Sequence, residues 1–330
     1  MMTREVIRDV AAGISREISY YEQNGWSIDF TKGELPTGMS FSRASGGSVF
    51  DAAGSLAVRA ANEPRLDFDP VTYQSRGLLI EEQRTNHLRN STAPVSQTVT
   101  LAAGNYTLWV AGTGSCAVAA GTAVGSGFGM AVEGAAVTFS VTTAGTVVFD
   151  VSESLSCFQC ENGVFATSLI ITTTAAATRS AELCSVPLES WFNPLEGTLM
   201  VECIAGTTVG NRMMAMLGSN NNNAITLGGY PSNNSFSVRV DNTVLANQAF
   251  TPVVAAGVLC RMAGAYAVGA SQSAVNGVVS GITANASLPP FTTLRIGCRM
   301  SDQMFNGWIR RIVYVPNRMN AAQLIDLTKV

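Results

Sequence analysis

Ala136-Val137-Thr138-Phe139-Ser140-Val141-Thr142 sets an apolar residue against a hydroxyl at every second position from Val137 onward. Strand side chains point alternately to two faces, so this reads as a strand with one core face and one wet face. The same texture extends outward to 98–101, 106–111, 147–151 and 168–172, with Gly and Asn in the gaps and no helical periodicity. Short strands punctuated in this way predict an antiparallel sandwich over 91–186. A second set follows Trp191, at 197–204, 212–217, 224–227, 235–240, 259–268, 293–296 and 307–315. The chain then closes on a short helix at 321–328 behind Asn320, a residue suited to capping a helix N-terminus. These predict a second, larger sandwich over 187–330. The fold class expected is all-β: two antiparallel β-sandwiches.

Upstream the texture changes. Ile7, Ala11, Ile14, Ile18 and Tyr21 recur at spacings of 4 and 3, the period of an apolar seam along a helix over 1–23. That seam has two readings, an anchoring or oligomerisation helix and a helix laid on its own domain. Positions 24–90 alternate tight-turn residues with short apolar stretches. Acids and arginines are interleaved there (Arg59, Glu63, Arg65, Asp67, Asp69, Arg76, Glu81, Glu82, Arg84). This suits a salt-bridged connector module better than a catalytic site.

Composition excludes several classes. Only 13% of the 330 residues are charged and 47% are apolar, against roughly 25% charged in an average soluble chain. From Asn90 to Thr178 there is no Lys or Arg at all, so the surface of that region must be hydroxyl and amide. A formal charge of −3 argues against a basic nucleic-acid binder. No uninterrupted apolar run approaches the roughly 18 residues of a membrane-spanning helix. Arg4, Glu5, Arg8 and Asp9 are foreign to the apolar segment of a secretory signal, which places assembly in the cytoplasm.

Chemistry-bearing residues are sparse. The seven cysteines are an odd, dispersed set, which predicts buried thiols rather than a disulfide framework. Cys157-Phe-Gln-Cys160 has ligand spacing, yet a tetrahedral zinc site needs two further ligands, and His87 is the only histidine. No metal and no cofactor are expected. One histidine without a nucleophile elbow leaves little room for a Ser-His-Asp arrangement. Of the carboxylate pairs, Glu81 and Glu82 would point to opposite faces of a strand, and Asp67 and Asp69 sit beside Arg65 and Pro70 as in a structural turn. No catalytic residue is assigned. Sugar binding is better served: Asn221, Asn222, Tyr230, Asn233 and Asn234 combine an aromatic with carboxamides around expected loops.

Three stretches resemble a known family. Residues Ile28-Asp-Phe-Thr-Lys-Gly33, Ser42-Arg-Ala-Ser45, Pro64-Arg-Leu-Asp-Phe-Asp-Pro70 and Ser75-Arg-Gly-Leu-Leu-Ile-Glu-Glu-Gln-Arg-Thr-Asn86 look like a module recurrent in tailed-bacteriophage virion proteins. Cys157-Phe-Gln-Cys-Glu-Asn-Gly163 through Ala177-Thr-Arg-Ser-Ala-Glu182 resembles the closing strands of a carbohydrate-binding-module-like sandwich. Leu294-Arg-Ile-Gly-Cys298, Phe305-Asn-Gly-Trp-Ile-Arg-Arg-Ile-Val-Tyr-Val-Pro316 and Arg318-Met-Asn-Ala-Ala-Gln-Leu324 resemble the end of a concanavalin-like, laminin-G-type jelly roll. In similar proteins the positions of Cys160 and His87 are commonly aliphatic, which implies packing roles, and Arg310-Arg311 stands where calcium-binding lectins are acidic.

The resemblance implies a structural protein on the virion surface, a homotrimeric tail fibre or spike with a host-attachment role towards cell-surface glycans. Its N-terminal part would be fixed to other virion proteins, portal or tail or capsid. Two alternatives accompany it: a capsid decoration or head-fibre protein, and a surface-polysaccharide depolymerase.

Overall fold

The structure, a computed structural model, describes residues 25–330. The helix expected over 1–23, with Ile7, Ala11, Ile14, Ile18 and Tyr21, lies outside the described residues. The all-β expectation holds. Among the described residues, one short α-helix, Ala321–Thr328, and one 3-10 turn, Phe30–Lys32, accompany the strands.

Two large sheets face one another. One has eight strands in the order Val278–Val279, Ala270–Val275, Leu259–Ala267, Glu196–Ala205, Gly307–Val315, Ser75–Ile80, Leu66–Phe68, with Trp26–Asp29 also paired to Gly307–Val315. The other has seven: Ser40–Ser42, Leu183–Pro187, Thr293–Ile296, Arg212–Asn220, Asn223–Gly229, Asn234–Val240 and Thr243–Phe250. Leu199, Val201 and Cys203 from the first sheet meet Leu217, Ile225, Phe236 and Leu294 from the second in one core. Each fully buried aliphatic or aromatic side chain of this kind contributes roughly 1.5–3 kcal/mol. The sheets approach closely enough that a Cβ at Gly264 would lie 2.2 Å from the Phe236 ring, so even Ala there would force the sheets apart. Glu196–Ala205 is buried over most of both faces, because Met200 packs outward beneath Leu324 and Leu327 of the C-terminal helix. That helix begins as the sequence predicts, with Asn320 and Gln323 in a reciprocal capping box.

The smaller sandwich packs a six-stranded sheet (Val124–Ser126, Val137–Thr143, Gly104–Gly112, Leu155–Asn162, Arg84–Asn86, Ala177–Arg179) on a four-stranded one (Met130–Val132, Ser115–Ala120, Gly145–Ser152, Gln97–Leu101). Phe139 and Val141, from the alternating stretch, point into its core beside Tyr106, Phe149 and Phe158. Residues 168–172 are not a strand. Side chains take the place of a ladder there: Glu81 accepts from the Ser168 N–H at 2.8 Å, Gln159 from that of Ile170 at 2.6 Å, and Ser91 from that of Thr172 at 2.8 Å.

The connector expected over 24–90 is not a separate module. Four of its strands belong to the large sandwich: Trp26–Asp29 pairs with residues 311–314, Ser40–Ser42 with Leu183–Pro187, Ser75–Ile80 with residues 307–309, and Leu66–Phe68 with Ser75–Ile80. Gly47–Phe50 and Leu56–Arg59 form a hairpin of their own, and Arg84–Asn86 joins the smaller sandwich. The smaller sandwich is thus an insertion. The chain leaves the large sandwich after Ile80 and re-enters at Leu183. The two crossings lie side by side, with the Glu182 N–H donating to the Glu81 carbonyl at 3.1 Å.

This neck encloses an ionic cluster. Arg65 is fully buried and donates to Glu81 at 2.7 Å, to both oxygens of Glu182, and to Ser168 Oγ at 2.6 Å. Arg43 joins Glu182 at 3.1 Å, and Arg179 joins Glu81 at 3.1 Å. Burial opposes the charge on Arg65, but Glu182 and Glu81 outweigh it and hold its pKa above the ordinary value. Burial likewise opposes ionisation of Glu81, yet Arg179 and Arg65 beside it bring its pKa down to about 2. Geometry this complete offsets the desolvation of the ions, whereas removing one partner would strand the other.

Candidate functional site

A cleft of about 510 Å³ opens where the two sandwiches meet, within the size range of small-ligand sites. Four pieces of chain build it. Leu108 and Val110 occupy the core of the smaller sandwich, so Trp109 and Ala111 project from the opposite face of the same strand into the cleft. Cys157 lies beside them, registered against Ala111. The segment Phe165 to Leu169 forms a second wall. The hairpin of Gly47–Phe50 and Leu56–Arg59 supplies Phe50 and Leu56, and the large sandwich supplies Asp67, Arg76, Asn306 and Trp308.

The polar groups of the cleft are held in place. Trp308 Nε1 donates to Asp67 Oδ2 at 2.7 Å, and the Arg76 guanidinium stacks 4.8 Å from the Trp308 ring while bridging to Asp69 at 2.7 Å. Asp67 also accepts from the Phe50 N–H at 2.8 Å, which ties the hairpin to the large sandwich. Burial pushes the Asp67 carboxyl up, and these bonds only partly oppose it. Ser48 and Ser168 are bound to Arg65, so the neck cluster fixes two walls of the cleft. The indole N–H of Trp109 is buried without a hydrogen-bond partner.

The five residues singled out for sugar binding do not share one place. Asn221 and Asn222 form the turn before Asn223–Gly229, and Tyr230 and Asn233 the turn after it. A seven-residue strand separates these turns by about 23 Å at the usual rise per residue. The physical reason is local: Asn220 Oδ1 accepts from the N–H groups of Asn222 and Asn223, so this asparagine run serves a tight turn. Asn234 is buried, its amide directed at Cys260 Sγ at 3.5 Å. Tyr230 and Asn233 do line a surface groove of about 460 Å³, together with Ser235, Ser237, Arg239 and Asn247.

Other sequence candidates have structural partners. Asp69 accepts from the N–H groups of Val71 and Thr72 and closes a turn, and those bonds hold its pKa well down. Glu82 pairs with Arg84 at 2.7 Å. His87 bonds Asn162 Oδ1 at 2.7 Å and meets the Tyr106 ring edge-on. Cys157 and Cys160 lie on opposite faces of Leu155–Asn162, Cys160 in the core with Phe158, so their thiols do not converge. All seven cysteines are unpaired thiols. Arg310 and Arg311 reach Glu202 at 3.1 Å and Asp29 at 2.7 Å and brace the outer face of the eight-stranded sheet.

Trp109 and Trp308 were not among the sequence candidates. The signal for Trp109 was its outward parity between Leu108 and Val110. Trp308 becomes legible only once Gly307–Val315 pairs with Ser75–Ile80.

No family model matches the sequence, and no curated protein matches it. Among solved structures, the CBM40 of the IT-sialidase of Ruminococcus gnavus bound to α2,3 sialyllactose is similar at 12% identity and a TM-score of 0.36. That match covers 42% of this chain and 84% of that one. Domain 4 of AbnA, a GH43 extracellular arabinanase from Geobacillus stearothermophilus in complex with arabinotriose, is similar at 13% identity and a TM-score of 0.38, covering 51% and 84%. The leech intramolecular trans-sialidase complexed with 2,7-anhydro-Neu5Ac is similar at 15% identity and a TM-score of 0.35, covering 42% and 24%. Likeness at this level assigns no function to this chain.

Proposed function

We infer that this chain is a glycan-binding structural protein displayed on the surface of a tailed-phage particle, with adhesion to the host surface as its role. The observation that carries glycan binding is the inter-sandwich cleft. Two tryptophans offer flat apolar surface of the kind that stacks on sugar rings, with the hydroxyls of Thr92 and Ser156 around them. The virion assignment rests on the phage-like stretches. Their residues Arg43, Arg65 and Glu81 form the neck cluster together with Glu182, a fitting use of ion pairs in a protein that must hold two sandwiches in fixed relation under load. Residues 1–23 would serve attachment to other virion proteins and trimer assembly.

Glycan binding is tested with Trp109→Ala. Trp109 Nε1 has no partner to orphan, so this truncation reads binding more than folding. Calorimetric titration with host surface polysaccharide, at a temperature where circular dichroism shows the variant folded, should show at least about tenfold weaker binding, since loss of an aromatic anchor costs roughly 2 kcal/mol or more. Equal affinity would remove the cleft from the adhesive role. Release of oligosaccharide by the intact protein would instead support the depolymerase reading. Placement on the particle is tested by cryo-electron microscopy of intact virions: density at the tail is expected, and density on capsid faces or vertices would favour the decoration protein.

A further inference from the structure

Asn234–Val240 buries Phe236 and Val238 in the large core, so Ser235, Ser237 and Arg239 share its outer face. The neighbouring strand Thr243–Phe250 sets Val244 against Arg239, Asn247 against Ser237 and Ala249 against Ser235. Small side chains at these paired positions leave a trough, and Tyr230 and Asn233 stand at one end of it. Its lining includes no Asp or Glu.

The polar groups of the trough are biased towards donation. Ser235 Oγ donates to Asn247 Oδ1 at 2.7 Å, which turns the Asn247 carboxamide so that its NH₂ remains available. Ser237 and Thr226 share a hydroxyl bond at 2.7 Å. Arg239 donates to the neutral amide oxygen of Asn242 at 3.1 Å, and among the described residues no carboxylate pairs with it. Arginine opposite an acid is the common arrangement elsewhere in this chain: Arg59, Arg76, Arg261, Arg299 and Arg310 each have one. A guanidinium without a counter-ion, beside a free amide donor, hydroxyls and a tyrosine, has the makings of an anion site with sugar-like surroundings.

We propose that this trough binds an anionic sugar unit, with Arg239 and the Asn247 amide donating to its carboxylate or phosphate oxygens and Tyr230 flanking the ring. The proposal rests on the reading of the chain as a glycan binder but uses a surface distinct from the cleft. Attraction between exposed charges weakens with ionic strength, so this binding falls with added salt.

The test titrates the whole protein with trigalacturonate and its carboxyl-reduced form, and with a phosphorylated mannose oligosaccharide and its dephosphorylated form. At least one anionic member should bind about tenfold or more tighter than its neutral counterpart. The pair showing the difference identifies carboxylate or phosphate as the group recognised. Arg239→Gln should abolish that preference, and Trp109→Ala should leave it intact. Equal binding of charged and neutral members, or an unchanged preference in Arg239→Gln, overturns the anion site while leaving glycan adhesion standing. A preference lost in Trp109→Ala but kept in Arg239→Gln relocates the anion to the cleft and overturns the trough. If neither anionic oligosaccharide binds, the anion site falls, and retained binding of host polysaccharide at the cleft shows whether the wider reading survives it.

Discussion

At the scale of single residues, the chain concentrates its few charges where they organise structure. Glu81 illustrates the energetics. Its pKa in the folded state, about 2, lies below the ordinary 4.5, so the ionised form stabilises the fold above that ordinary value. This contribution, roughly 3 kcal/mol from the size of the shift, is lost as pH falls from about 4.5 towards about 2. Glu161 has the opposite sign, because burial raises its carboxyl; its contribution is present at low pH and lost as pH rises through its folded pKa. Melting temperature against pH should therefore decline through that acid window, and Glu81→Gln should flatten the decline while lowering stability at neutral pH. Arg65→Met, which leaves Glu81 with Arg179 alone and Glu182 with Arg43 alone inside a buried cluster, should cost about 3 kcal/mol in urea unfolding. A loss under 1 kcal/mol would mean that the cluster is dispensable.

At the scale of elements, local rules worked where an element's partners lie nearby in sequence. Alternation in Val137–Thr143 and the Asn320 cap of Ala321–Thr328 were both readable, because period 2 and a capping box are local signals. Asn320→Ala should lower stability by about 1 kcal/mol, seen as a modest fall in melting temperature; no change would show that packing of Leu324 and Leu327 alone holds the helix. Residues 168–172 misled because Thr and Ile suit a strand, yet their backbone groups are taken by Glu81, Gln159 and Ser91, and those side chains arrive from distant segments. The sugar-binding set misled differently. Asn residues close in sequence fell at opposite ends of one strand, while Trp109 and Trp308, far apart in sequence, came together.

At the scale of the whole molecule, the division into successive domains was illegible because the deciding pairings span most of the chain, Trp26 against Tyr314 above all. This carries a direct expectation. A fragment of residues 187–330 lacks three strands of the eight-stranded sheet, Trp26–Asp29, Leu66–Phe68 and Ser75–Ile80, and from the other sheet Ser40–Ser42 and all but the last residue of Leu183–Pro187. It should be insoluble or lack near-ultraviolet circular dichroism, whereas residues 25–83 joined by a short linker to 180–330 should fold. A well-folded 187–330 fragment would refute the interwoven topology.

The side-by-side crossings at the neck also have a mechanical meaning. A pull applied at the N-terminal end enters through Trp26–Asp29, a strand laid against Gly307–Val315, and passes into the large sandwich through backbone hydrogen bonds. The smaller sandwich hangs from two adjacent covalent strands that ion pairs clamp together, so tension along the backbone is shunted across its base. It therefore stands outside the path that bears the force.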